Sequence, residues 1–235
     1  MGAIQIISDL QAQGNPEKAI HLARFFKTGK GEYGEGDLFL GVTVPEQRKI
    51  ARQHQDTPLS VLEELMASPY HEIRLTALLI LVDQFNAHKD DAFRRVCVDF
   101  YVAHSNQINN WDLVDLSCYK LLGEWLSDKD RRLLYDWAKS DHLWQQRIAI
   151  VTCMCFVRKR DFQDCLSISD LLIHHPHDLI HKAVGWLLRE TGKKDKQVLT
   201  AFLSTRYRTM PRTMLRYAIE RFPEEERKRY LNSEI

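Results

Sequence analysis

Apolar residues recur along most of the chain at intervals of three and four, the spacing that gathers them on one side of an α-helix. No segment alternates apolar and polar residues over several positions, and β-branched residues are scattered, so strands are not expected. Start signals divide the pattern. Asn15-Pro16 places an N-cap before a proline at the first helical position and opens a helix through about Lys27. Thr43-Val44-Pro45-Glu46 reads as a capping box that opens a helix from Pro45 to Gln55. Ser68-Pro69 opens a long apolar helix through about Phe85, and Asp161, Asp195 and Met210-Pro211 mark further starts. Between these, Thr28 to Asp37 (TGKGEYGEGD) carries four of the ten glycines and reads as a flexible loop.

The helical pattern is itself periodic. A basic residue followed by small and large apolar residues occurs in IRLTALLIL around Arg74, QRIAIVTCM around Arg147, HKAVGWLLR around Lys182 and LRYAIERF around Arg216. Successive separations are 73, 35 and 34 residues, and NNWDLVDLS, with Trp111, fills the vacant place. A period of about 35 residues, filled by two helices, predicts an all-α chain: a HEAT-like helical-repeat solenoid (an α-α superhelix) forming one domain over residues 1–235. The Trp, Gly, Tyr and Pro offsets of the tetratricopeptide repeat are absent. In a stacked array, equivalent positions line one wall, so Arg74, Trp111, Arg147, Lys182, Trp186 and Arg216 are expected on one side. A row of cations one repeat apart suits a polyanion. The alternative is that these cations cap or pair with neighbouring helices inside the array.

Composition narrows the class without choosing a partner. Apolar residues make up 44% and charged residues 28% of 235, an ordinary soluble balance. The longest apolar stretches, Leu75 to Val82 and Ile148 to Val157, fall short of the ~20 residues of a membrane span. The N-terminal MGAIQIISDLQAQG lacks the basic start and apolar run of a signal peptide, and Ile6 stands where a myristoylation signal has Ser or Thr. Five cysteines (Cys97, Cys118, Cys153, Cys155, Cys165) form no CxxC pair and read as buried, reduced thiols of a cytoplasmic protein. A net charge of +1 argues against a histone-like coat but allows a local basic groove.

Trp111 and Asp115 are four residues apart and share a helix face, with Asp112 turned away near the helix N-terminus, where a carboxylate is favourable. Asp115 lies among Leu113, Val114 and Leu116 and so needs a partner. Arg147, one repeat later, is the natural candidate for a salt bridge between repeats.

The stretches NNWDLVDLS (Asn109 to Ser117), WQQRIAI (Trp144 to Ile150) and KAVGWLLRE (Lys182 to Glu190) together resemble the AlkD family of DNA alkylation repair enzymes, over nearly the whole chain. The resemblance implies a HEAT-like glycosylase acting on N3- or N7-alkylated purines in double-stranded DNA, with no metal or organic cofactor. It puts the catalytic aspartate at Asp115, two sugar-facing tryptophans at Trp111 and Trp186, and the cleft arginine at Arg147. Phe25, in LARFFK, falls where the best-known member has a tyrosine, and Asn110 where it has a second tryptophan. The resemblance also implies cleavage without flipping the base into a pocket. Lys182, Arg212 and Arg216 are further candidates for phosphate contact. A non-catalytic binder of branched or distorted DNA, or a protein–protein scaffold, is the alternative, and a monomer is expected.

Three other features have structural readings. His174, His175, His177 and His181 read as a polar loop and helix start rather than a metal site. Arg206, Arg208, Arg212 and Arg216 form either a DNA-backbone contact or a solvated helix end. Trp125, Trp137 and Trp144 are expected in the core.

Overall fold

The computed structural model describes residues 2–235, and among them the only extended pairing is one bridge between Leu38 and Tyr70. The chain is all-helical, as the periodicity predicts, and its helices gather into two compact units, residues 1–117 and 118–235.

The first unit holds α1 (Ala3–Ala12), α2 (Pro16–Phe25), α3 (Val44–Gln53), α4 (Leu59–Met66), α5 (His71–Ala87), α6 (Asp91–Ala103) and most of α7 (Trp111–Cys118). At its centre is α5, buried at every position from His71 to Val82, with α1, α3, α4 and α6 packed against it. A helix apolar on all sides has to be covered on all sides, and each buried Leu or Ile contributes roughly 1.5–3 kcal/mol. The expected caps are present. Asn15 Oδ1 accepts from the Lys18 N–H at 2.9 Å, and Glu46 Oε2 accepts from the Thr43 N–H at 2.8 Å. However, α5 starts at His71, later than Ser68-Pro69 suggests. The Leu38 N–H donates to Pro69 O and the His71 N–H to Leu38 O, which holds residues 69–71 extended before the helix begins.

One residue of α5 organises the segment ahead of α3. Glu72 is buried, and its carboxylate accepts from the N–H groups of Leu40 (3.0 Å), Gly41 (2.8 Å) and Val42 (3.3 Å). The turn requires glycine at position 41, where φ is +82° and a Cβ would lie 2.0 Å from Asn15 O.

The second unit opens with a π-helical turn (Tyr119–Gly123) and continues as α8 (Arg132–Ala138), α9 (Leu143–Thr152), α10 (Met154–Arg158), α11 (Gln163–Leu172), α12 (Asp178–Lys194), α13 (Lys196–Ser204), α14 (Arg212–Ala218) and α15 (Glu224–Leu231). Arg147, Lys182 and Arg216 are each the fifth residue of α9, α12 and α14, and α12 packs against both α9 and α14. The sequence period is therefore realised as neighbouring helices in this unit, an arrangement compatible with a helical repeat. Trp125, Trp137 and Trp144 are buried, and all five cysteines are buried and form no disulfide. Burial pushes the Cys165 thiol up to about 12, which keeps it protonated and inert.

The glycine of KAVGWLLRE marks the closest approach in this unit. A Cβ on Gly185 would lie 2.5 Å from Tyr217 Cβ and 2.6 Å from Met214 O, so α12 and α14 touch backbone to backbone there. Replacing Gly185 with Ala is expected to push α14 outward and destabilise the fold by about 2 kcal/mol, within the usual cost of overpacking. Urea unfolding measures this, and an unchanged midpoint would show that α14 retreats freely.

Candidate functional site

Trp111 is the first residue of α7 and Asp115 lies one turn on, both half-buried. The Trp111 ring is the end of a stack of rings that starts in the core. It lies against buried Phe26 at 5.2 Å between centroids and 27° between planes. Phe26 in turn stacks on Phe39 (5.3 Å, 11°) and on the His71 ring (4.8 Å, 31°). Phe25, at the end of α2, meets Trp111 edge-on at 5.9 Å and is 55% exposed, so one of its faces is open to a ligand. Each such pair adds about 0.5–1.5 kcal/mol to the area it buries and fixes the tilt of the rings.

Beneath the stack lies a sealed set of charges. His71 is 1% exposed, with Nε2 2.8 Å from Asp112 Oδ2 and Nδ1 3.3 Å from Asp37 Oδ2. Burial opposes a charge on this ring, but the carboxylates of Asp112 and Asp37 outweigh it and raise His71 to about 9. It is therefore an imidazolium at neutral pH, donating from both nitrogens. Burial also works against the Asp37 anion, yet the His71 hydrogen bond and the Arg74 charge hold its carboxyl below the ordinary value. Arg74 Nη2 donates to Asp37 Oδ1 at 2.7 Å and to Asn109 Oδ1 at 2.8 Å, and Nη1 donates to Ser68 O. Asn109 Nδ2 closes the circuit on Asp37 Oδ1 at 3.0 Å.

These bonds converge on the first turn of α7. Asn109 precedes it, the buried Asn110 accepts the Trp111 N–H through Oδ1 at 2.9 Å, and Asp112 is its second residue, where a carboxylate also meets the positive end of the helix. Arg74 is thus a buried structural cation, and the polyanion reading of the cation row does not hold for it. The segment 28–37 is more ordered than its composition suggests. Glu32 accepts from the Gly29 N–H, Glu35 from the Gly31 N–H, and its last residue is the buried Asp37.

In the second unit, Trp186 is half-buried on α12, and Arg147 is buried and donates through Nη1 to Leu179 O at 2.6 Å. Lys182 pairs with Asp178 at 2.7 Å. Of the four clustered arginines, Arg206 forms a two-pronged ion pair with Asp170, Arg208 donates to the Tyr207 hydroxyl, Arg212 donates to Leu231 O, and Arg216 is exposed. The histidines form a helix start: His177 Nδ1 accepts from the Leu179 N–H, and His175 Nδ1 from the His177 N–H. Burial lowers both, leaving them neutral at neutral pH.

Trp111, Asp115 and Phe25 stand together in the sequence reading, whereas Phe26, His71, Asp37 and Asn109 do not. Phe26 and Asn109 lie inside stretches already singled out, LARFFK and NNWDLVDLS. The partners of His71 are 34 and 41 residues away, and no local pattern signals them.

This arrangement of helices has a solved counterpart. A protein described as a predicted DNA alkylation repair enzyme from Enterococcus faecalis superimposes with a TM-score of 0.72, covering 90% of this chain and 98% of its own, at 16% identity. At that identity the likeness is one of fold. The sequence defines the family independently, because the model for DNA alkylation repair enzymes matches residues 6–222. The chain belongs to the DNA alkylation repair enzyme family, and its role lies in the repair of alkylated DNA. Among curated protein sequences, none matches it. No helix among the described residues is long and apolar enough to cross a membrane.

The raised His71 value links stability to pH with a definite sign. The folded state keeps a proton up to about pH 9 that the unfolded chain loses near 6.5, so the stabilisation is complete below 6.5 and declines as pH rises through 9. Two and a half pKa units correspond to about 3 kcal/mol. Urea melts at pH 6.5, 7.5 and 9 are expected to show this decline. His71→Gln is expected to abolish the slope and to cost roughly 3–5 kcal/mol at pH 6.5, because buried Asp112 loses its cation and Asp37 is left with Arg74 alone.

Proposed function

We propose that this protein is a monofunctional DNA glycosylase that removes positively charged N3- or N7-alkylated purines from double-stranded DNA by hydrolysing the N-glycosidic bond. The observation that supports this most is Asp115, one turn beyond Trp111 on a helix whose first turn is pinned by the buried ion cluster. An alkylated purine carries its own positive charge. When its bond to the sugar breaks, the electron pair goes to the base, which leaves neutral without a general acid. The remaining sugar is oxocarbenium-like. A single carboxylate then stabilises that cation, orients a water molecule against it, and accepts the proton the water gives up. Two carboxylates are needed only where the leaving group must be protonated.

Trp111 offers the sugar cation a π face beside Asp115, and the exposed Phe25 extends that aromatic surface. The departure from tyrosine at Phe25 removes a hydroxyl and keeps the ring. In the second unit, Trp186 takes the role the resemblance gives it, and Arg147, Lys182, Arg212 and Arg216 are assigned to phosphates. Arg216, exposed on α14, suits that role best, whereas Arg206 is already committed to Asp170.

The test is release of 3-methyladenine or 7-methylguanine from methylated duplex DNA. Asp115→Asn is expected to lower single-turnover release by at least ~100-fold while leaving DNA affinity near native. Native protein that binds this DNA and releases nothing is instead a non-catalytic binder. A salt titration checks the phosphate assignments: Arg216→Ala should reduce the slope of log K against log salt by about one, and Arg206→Ala should leave it nearly unchanged.

A further inference from the structure

The ring stack under Trp111 has a second exposed side. There the first unit contains a cavity of about 340 Å³, walled by Leu22, Phe25, Phe26, Phe39, Val42 and Val44. This volume lies at the small end of the 300–1,000 Å³ typical of ligand pockets, which suits one ring system rather than a dinucleotide. Two of its walls, Phe25 and Phe26, are the rings that pack against Trp111. Lys18 and His21, both exposed, also line it.

The polar groups of the lining decide what can enter. Both His71 nitrogens are bonded to carboxylates, one of them that of Asp112, and the Glu72 carboxylate accepts three backbone N–H groups. Gln47 donates through Nε2 to Val42 O at 2.9 Å, and its Oε1 is buried without a protein partner. A sugar or an amino acid would surrender many hydrogen bonds to water here and regain few. The buried charges of the lining are engaged by one another or by backbone N–H groups, so a strongly charged ligand finds no buried counter-charge. A flat heteroaromatic ring loses little, because its faces and alkyl groups match the walls. Exposed Lys18 and His21 can meet a phosphate carried by such a ring.

We infer that this pocket binds a nucleobase, held by its faces and its apolar substituents rather than read along its hydrogen-bonding edge. The inference relies on the DNA-repair role only in choosing nucleobases among planar heterocycles. The resemblance implies no base pocket, so the site is additional to the chemistry at Asp115. Occupancy should follow stacking and apolar surface: purines above pyrimidines, and 3-methyladenine above adenine. The base can reach it from solution, including after its release, or by swinging out of a duplex.

Two probes separate these sources. One is calorimetric titration with free 3-methyladenine. The other is duplex DNA containing 2-aminopurine, whose emission rises when the base leaves the stack. Val44→Trp, which fills the pocket and spares Trp111 and Asp115, is expected to weaken free-base binding at least ~10-fold or to abolish the emission rise. Loss of the first signal identifies the base in solution, and loss of the second identifies the extruded base. In native protein the methyl resonances of Leu22, Val42 and Val44 should shift on saturation with 3-methyladenine, a reading that stands even if Val44→Trp misfolds. Absence of both signals in native protein, signals that persist unchanged in a folded Val44→Trp, or methyl resonances that do not move would each overturn the assignment. None of these readings requires base release, so a catalytically silent protein would refute the glycosylase proposal and leave this one standing.

Discussion

An imidazolium almost without access to water is stable only where opposite charges surround it closely, and in this protein the cation and its two counter-charges come from three distant stretches of chain. Asp37 closes the glycine-rich segment, His71 opens the central helix of the first unit, and Asp112 sits in the first turn of α7. Each carboxylate alone would be costly to bury. Together with Arg74 and the Asn109 amide, they form a circuit in which every charge has a partner at hydrogen-bonding distance. The site depends on this circuit because the start of α7 is defined by it. Trp111 and Asp115 are placed by where that helix begins, and the aromatic stack above His71 sets the tilt of the Trp111 ring.

The second unit solves a different problem by different means. Its repeat-bearing helices are held by direct contact, and the absence of a side chain at Gly185 lets α12 and α14 meet backbone to backbone. Electrostatics fixes angle and register in the first unit, whereas volume fixes distance in the second. Buried ion pairs contribute little net stability relative to apolar packing but specify one arrangement strongly, so they are best placed where orientation matters. α7, which carries the proposed nucleophile-orienting carboxylate, is such a place.

Much of this was legible in the chain. The three-and-four spacing yields the helices, the proline-linked caps yield several of their starts, and the 34- and 35-residue separations become the contacts of α12 with α9 and α14. Trp111, Asp115 and Phe25 could be named because their local motifs carry the family resemblance. The His71 circuit could not, since each of its hydrogen bonds joins residues more than thirty positions apart and histidine at a helix start is unremarkable. Arg74 shows the same limit from the other side. Its place in the repeat pattern suggested a surface row, but burial and three acceptors make it internal. Periodicity locates a residue along a helix and says nothing of what covers it.

The glycine-rich segment is anchored at two places, with an exposed tip ahead of them. Gly34 is buried, donates its N–H to Lys27 O and has no room for a side chain beside Phe26 O, and Asp37 is tied to the ion circuit, whereas residues 29–32 are exposed. The length and composition of the tip can therefore drift through mutation without disturbing α7, provided Gly34 and Asp37 stay in place. Related chains that differ in the size of this tip should keep both anchors, so the tip is where the molecule can acquire new surface contacts at little risk to the first turn of α7.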